Sequence, residues 1–118
     1  MDYFERKLDE KNRLTIPSEL QNELGNEVII TPGFGQYLHL SSKAVWDTEM
    51  EAALTGDILD EKIADLNVKF RMGKSVSKLD SKQGRITLEA HQMALLGNCK
   101  AIVLVRAGKY WRIQAKQS

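Results

Sequence analysis

One ten-residue stretch occurs twice in this chain. Leu8-Asp9-Glu10-Lys11-Asn12-Arg13-Leu14-Thr15-Ile16-Pro17 returns as Leu79-Asp80-Ser81-Lys82-Gln83-Gly84-Arg85-Ile86-Thr87-Leu88. From each arginine the same spacing leads to a Gly-Asn pair, Gly25-Asn26 and Gly97-Asn98. Each pair runs into an apolar strand pattern, Val28-Ile29-Ile30-Thr31 and Ile102-Val103-Leu104-Val105. An internal duplication constrains the fold more than any composition, because each copy is one supersecondary unit that must bury its apolar face on a neighbour. A half of roughly 50 residues is too small to bury a sufficient core alone. The two copies are therefore expected to share one core.

Within each copy the residues predict strand, turn, strand, helix and hairpin. Phe4 to Leu8 alternates weakly and, like Ser75 to Leu79, reads as a strand. Its expected partner is Arg13 to Ile16, across a turn at Asp9-Glu10-Lys11-Asn12. Asn12 is expected to be left-handed, since asparagine tolerates positive φ better than other non-glycine residues; the second copy has Gly84. Pro17-Ser18-Glu19-Leu20-Gln21 reads as a helix start, with Ser18 and Gln21 spaced as a capping box, Leu20 and Leu24 as the buried edge and Gly25 as the stop. In the second copy Glu89 replaces the proline, and a helix runs on to Leu96. Glu27–Thr31 and Gln36–Leu40 form a hairpin around Pro32-Gly33-Phe34-Gly35, as Ala101–Arg106 and Lys109–Gln114 do around Ala107-Gly108. Gly33 and Gly108 serve the turns. Gly33-Phe34-Gly35 is no phosphate loop, because no helix follows it directly and no lysine or acid stands at the required spacing.

Two helical patterns separate the copies. Ser42 can cap a helix with Trp46, Met50, Ala53 and Leu54 on one face. After Thr55-Gly56-Asp57, a second helix is expected to carry Leu59, Ile63, Leu66 and Phe70 as a stripe and to end at Gly73. Such stripes are core or subunit contact, and they must pack on the body of the fold or on a neighbour. The sequence thus divides into a first half at 1–41, a helical linker at 42–74 and a second half at 75–118.

At 118 residues, 42% hydrophobic and 28% charged, the chain has the make-up of an ordinary soluble globule. It has no apolar run near the ~20 residues of a membrane helix. The charged start, Met1-Asp2-Tyr3-Phe4-Glu5-Arg6, does not read as a secretory signal, so the cytoplasm is the expected location. Cys99 has only His39 and His91 beside it, no spaced ligand set for a metal, and reads as a small, partly buried hydrophobe. No cofactor is implied. The two histidines are far apart and the carboxylates scattered, so no catalytic constellation shows and an enzyme is not expected. His39 and His91 read as half-exposed side chains.

Charge is divided along the chain. Residues 1–54 carry 5 Lys/Arg against 10 Asp/Glu, while residues 55–118 carry 12 against 6. Between Lys69 and Arg85 six cations (Lys69, Arg71, Lys74, Lys78, Lys82, Arg85) face one acid, Asp80. That stretch is the candidate for binding a polyanion. The bland alternative is a solvated helix end and loop, and the opposite polarity of the halves also suits docking of one protomer on the next.

The repeated turns make sense as a reader of DNA. One projects Lys11, Asn12 and Arg13, the other Lys82, Gln83 and Arg85. Arginine offers a planar fork matching guanine O6 and N7, lysine a point charge for phosphate, and Asn12 and Gln83 can face adenine or phosphate. Asp9 and Asp80 would repel DNA as bare charges, so their expected task is to hold the turn or orient the arginine. A single copy would favour a plain polar hairpin with a structural Asp-Arg pair; two copies at matching positions favour recognition.

This pattern, LDxKGRLxxP twice around a helical linker, resembles the MraZ family of the SpoVT-AbrB superfamily over roughly residues 4 to 114. The resemblance implies an α+β, mainly β fold: a swapped-hairpin AbrB-like barrel built from two pseudo-symmetric β-β-α-β-β halves. It implies a homo-oligomeric repressor at the nucleoid, binding double-stranded DNA at tandem direct repeats, in the family's case at the division and cell-wall gene cluster. The implied DNA contacts are Lys11, Asn12, Arg13, Lys78, Lys82, Gln83 and Arg85, with Asp9, Asp80 and Gly84 structuring the turns. The family's Asp-x-x-x-Arg spacing falls on Asp9 and Arg13, whereas Asp80 to Arg85 is one residue longer, through an insertion at Ser81 or a bulged turn. No membrane or small-molecule partner is implied. The alternative is an antitoxin-like AbrB protein whose main partner is a toxin; that reading would want a long wrapping tail, and few residues follow Gln114.

Overall fold

The computed structural model describes residues 1–79 and 83–116. In chain order the elements are β1 (Tyr3–Lys7), β2 (Arg13–Thr15), α1 (Ser18–Leu24), β3 (Glu27–Pro32) and β4 (Tyr37–Ser42). The helical segment α2 (Lys43–Val45), a π-helical turn (Trp46–Met50) and α3 (Glu51–Ala53) follow, then α4 (Glu61–Met72). The second copy supplies β5 (Ser75–Lys78), β6 (Arg85–Thr87), α5 (Ala90–Leu95), β7 (Ala101–Ala107) and β8 (Tyr110–Ala115). The fold is α+β and mainly antiparallel β, with a six-stranded sheet β1-β7-β8-β4-β3-β5 and a separate two-stranded ribbon β2-β6. The sheet does not close; β1 and β5 are its edges.

Exchanging the copies and reversing the sheet order returns the same order. Apart from the hairpins β3–β4 and β7–β8, each pairing joins one copy to the other: β1 to β7, β4 to β8, β3 to β5 and β2 to β6. This corrects the expectation that the strand before each turn pairs with the strand after it. The first turn is tight, with Asn12 N–H donating to Asp9 O at 3.0 Å and Asp9 N–H to Arg13 O at 3.1 Å. Beyond that rung the arms part. A three-residue arm on a local hairpin would bury little, whereas crossing over sets Leu14 opposite Ile86 and brings Phe4 to 5.8 Å from the Trp111 ring. The main core fills the space between the ribbon with α1 and α5 on one side and the inner face of the sheet on the other.

A smaller core lies on the outer face, where Ile29 meets Trp46, Leu54 and Phe70 of the linker. Linker cover makes β3 and β4 buried on both faces, while β7 and β8 alternate. That explains why β3 reads as a continuous apolar run. Leu59 does not join this stripe: it is 88% exposed and precedes the helix, because Asp60 accepts from Lys62 N–H and Ile63 N–H and starts α4 one residue later. His39 is also corrected, from half-exposed to 6% exposed, since α4 lays Phe70 against its ring.

The helix starts differ from expectation as well. Ser18 is already helical, Pro17 occupies the cap, and the Ser18–Gln21 box does not form. Gln21 Nε2 instead donates to Ile16 O at 2.9 Å. The box forms in the second copy, between Glu89 and Gln92. There Gln92 Oε1 accepts from Glu89 N–H at 2.8 Å while its Nε2 donates to Ser75 Oγ at 2.8 Å, so this buried amide is satisfied at both ends.

Part of the charge division is met inside the protomer. Lys116 pairs with Glu5 at 3.0 Å, Arg106 with Glu23 at 2.8 Å, Lys109 with Glu49 at 2.7 Å and Arg71 with Glu51 at 2.9 Å. Each joins the acidic half to the basic half. Being exposed, each adds at most ~1 kcal/mol. Lys116–Glu5 and Arg106–Glu23 join the two copies directly and favour the interleaved arrangement over local pairings.

Candidate nucleic-acid interface

The ribbon β2–β6 pairs Arg13 with Thr87, Leu14 with Ile86 and Thr15 with Arg85. Side chains alternate across a strand, so Leu14 and Ile86 point inward and are buried, and Arg13, Thr15, Arg85 and Thr87 share the outer face. The pseudo-twofold runs through the Leu14–Ile86 pair. The two arginines sit diagonally, two residues apart along the strands and one strand apart, which places their Cα atoms about 8 Å from each other. Below them an open cavity of about 500 Å³ is lined by Arg13, Lys78, Leu79, Arg85 and Thr87.

The first turn is built around Asp9. Its Oδ1 accepts from Lys11 N–H at 2.9 Å and Arg13 N–H at 2.8 Å, and its Oδ2 accepts from Arg13 Nε at 2.6 Å. The backbone N–H of Arg13 is the largest influence holding the Asp9 carboxyl below its usual range; desolvation, the next largest, opposes it, and the Arg13 side chain and the Lys11 N–H lower it further. Fixing Nε leaves the Nη1/Nη2 edge of the guanidinium for an outside partner, and that edge can make a bidentate pair. Lys11 is exposed at the tip. Asn12 has φ 60°, and its Oδ1 accepts from Lys100 Nζ.

In the second turn Gly84 has φ 62°, and a Cβ there would stand 2.3 Å from Gln21 Nε2. The positive φ favours glycine, and the end of the Gln21 side chain fills the space beside it. The turns brace each other's strands: Ile16 N–H donates to Gly84 O at 2.8 Å and Leu88 N–H to Asn12 O at 2.9 Å. Gln83 is exposed beside Gly84, and Lys78 is exposed on β5. Asp80, Ser81 and Lys82 lie outside the described residues, so the longer Asp80–Arg85 spacing has no counterpart here.

The described cations of the run 69–85 do not form one surface, because the chain passes from α4 on the outer face to β5 at the sheet edge between them. Lys74 Nζ lies 4.7 Å above the Trp46 ring and Lys69 Nζ 5.9 Å from that of Phe34, while Arg71 is bound to Glu51. Lys78 and Arg85 alone of the described cations in that run join Arg13 at the cavity. Sequence reasoning missed Thr15 and Thr87, although strand alternation could have found them. It also missed Lys100, which no pattern marks. Gly97-Asn98 is followed by two more residues before its strand than Gly25-Asn26 is, and Lys100 lies in that excess.

A sequence model of the family described as "MraZ protein, putative antitoxin-like" matches residues 1–57. Similarity to individual proteins extends through both copies. The transcriptional regulator MraZ of Mycoplasmopsis pulmonis is 30% identical over 105 residues, covering 89% of this chain and 71% of that protein. That of Mycoplasma mobile is 28% identical over 114 residues, covering 97% and 77%. That of Leuconostoc citreum is 27% identical over 118 residues, covering 100% and 82%. The doubled turn with its interleaved strands and this end-to-end similarity agree: the chain belongs to the MraZ family.

Proposed function

We propose that the chain binds double-stranded DNA sequence-specifically through the outer face of the β2–β6 ribbon and regulates transcription. The observation that carries this is the grouping of Arg13 and Arg85 on one face of a two-stranded antiparallel ribbon, an element that the major groove admits. Lys11, Asn12 and Gln83 flank the arginines, and Lys78 supplies phosphate contact; Lys82, next to Gln83 in sequence, belongs to the same recognition turn on this reading. The interleaved pairings support the finer reading of a swapped-hairpin AbrB-like barrel with halves at 1–41 and 75–118 and a linker at 42–74. A chain of net charge +1 gains little non-specific affinity. Useful occupancy then comes from a homo-oligomer engaging tandem direct repeats at high effective concentration. On this reading it is a cytoplasmic, nucleoid-associated repressor of the division and cell-wall gene cluster.

The test is titration of a cognate duplex, selected from the host's genomic DNA, and a scrambled duplex at several salt concentrations. Arg13→Ala and Arg85→Ala should each cost roughly 1–3 kcal/mol per site and erode discrimination. Lys78→Ala should weaken both duplexes alike and lower the magnitude of the salt slope by about one unit. Unchanged discrimination in both arginine variants would sink the reading. That outcome would favour the alternative to which the antitoxin-like wording of the family description points, a module whose main partner is a toxin protein.

A further inference from the structure

We propose that Lys100 is a positioning residue for DNA recognition, setting Arg13 from behind by holding the first turn; this rests on the reading of Arg13 given above. Lys100 belongs to the opposite copy, 87 residues from Arg13. Its backbone is fixed where Leu8 N–H donates to Lys100 O at 2.8 Å, and its Nζ reaches Asp9 O at 3.3 Å and Asn12 Oδ1. One ammonium therefore ties both ends of the Asp9–Asn12 turn. Asp9 in turn fixes Arg13 through its N–H and its Nε. The link runs from Lys100 through the turn to the guanidinium.

Three features distinguish this from a phosphate contact. Lys100 is partly buried, its ammonium is aimed at a carbonyl and an amide oxygen, and the amide belongs to Asn12, a residue at φ 60°. A non-glycine residue in that conformation has a preference to leave it, and a tether at its side chain opposes that. The second turn has glycine at the corresponding place and the Gln21 side chain packed where a Cβ would be. The copies thus solve one problem in two ways. A recognition group must be held to within a fraction of an ångström by supporting hydrogen bonds, and loosening the support erodes selectivity before it erodes charge attraction.

The experiment measures affinity for the selected cognate duplex and a scrambled duplex, over a salt series, for the full chain and for Lys100→Met, Lys100→Arg, Arg13→Ala and the Arg13→Ala/Lys100→Met double variant. Lys100→Met should lower the cognate-to-scrambled ratio about tenfold, as expected for lost hydrogen bonds to a charged group, with the salt slope unchanged. Lys100→Arg should restore most of the ratio. In the Arg13→Ala background Lys100→Met should change the ratio no further. The ratio is taken on one preparation, so a partly unfolded fraction cancels. A salt slope lower by one unit with equal weakening on both duplexes would make Lys100 a phosphate contact and overturn the inference, as would additive losses in the double variant. Full discrimination in Lys100→Met beside a crippled Arg13→Ala overturns this inference alone. Full discrimination in Arg13→Ala overturns the role given to Arg13, and this inference with it; the wider reading falls if Arg85→Ala keeps full discrimination too.

Discussion

Trp111→Ala is expected to lower the free energy of unfolding by about 3–5 kcal/mol, the range for truncating a buried aromatic side chain. Trp111 sits on β8, opposite Leu40 of β4 and Arg106 of β7, with no exposed surface. Its ring packs on Phe4 of β1 and lies 4.4 Å beneath the Arg106 guanidinium, and its Nε1 donates to Glu23 Oε2 at 2.7 Å. Strands and a helix of the first copy thus converge on one residue of the second. Burial opposes the charge on Glu23, yet the hydrogen bonds from Arg106 and Trp111 hold its carboxyl below the usual range. Removing the indole leaves a cavity and takes one of those donors. A domain of this size has about 5–15 kcal/mol to lose in all, so the variant should unfold near physiological temperature. Urea unfolding followed by far-ultraviolet circular dichroism measures it. A cost below 1 kcal/mol would mean that the two copies are held together elsewhere.

Acidification should weaken the protein before its carboxylates titrate, and His39 is the cause. Burial above all, and then the cations Arg112 on β8 and Lys69 on α4, push its imidazole down from 6.5 to about 4. Its ring lies 4.4 Å from Tyr110, 5.6 Å from Tyr37 and 5.7 Å from Phe70, and neither nitrogen has a hydrogen-bond partner among the described residues. Between pH 4 and 6.5 the unfolded chain binds a proton there that the folded chain refuses, so stability rises with pH across that window and is lost as pH falls through it. The loss should reach about 2 kcal/mol at pH 5 and about 3 kcal/mol at pH 4. His39→Phe, which keeps an aromatic ring in the cluster, should flatten the dependence between pH 7 and 5. Glu51 titrates lower, at about 2, under its hydrogen bond from Arg71, so its contribution is lost in a more acidic range. Equal slopes for the wild-type chain and His39→Phe over pH 5–7 would refute the assignment.

What the sequence made legible was whatever local chemistry dictates. Asn12 and Gly84 announce left-handed turns because few other residues tolerate them, and Gly25 ends α1 with φ 72° for the same reason. The hairpins followed from β-rich runs around glycine. Strand partners were not legible, since the alternation in Phe4–Leu8 states which face is buried and not against which copy. The burial of His39 depends on where α4 lands, a fact of tertiary packing that no property of residue 39 carries. At the candidate site Arg13 and Arg85 were visible through repetition. Lys100 was invisible because its partners lie 88 and 91 residues away.

The pseudo-twofold through Leu14 and Ile86 is exact in strand order and broken in chemistry. Two identical chains clasped in this way would show a duplex the same tip twice, and the text they favour would read alike from either end. Here the tips differ: one is an asparagine turn roped down by Lys100, the other a glycine turn wedged by Gln21. Joining the copies in one polypeptide lets them drift apart, and, if the ribbon binds DNA as proposed, the protomer would have a front and a back on the helix. Protomers laid side by side on DNA would then all face one way, which is the arrangement that a head-to-tail series of sites demands and a mirrored pair does not.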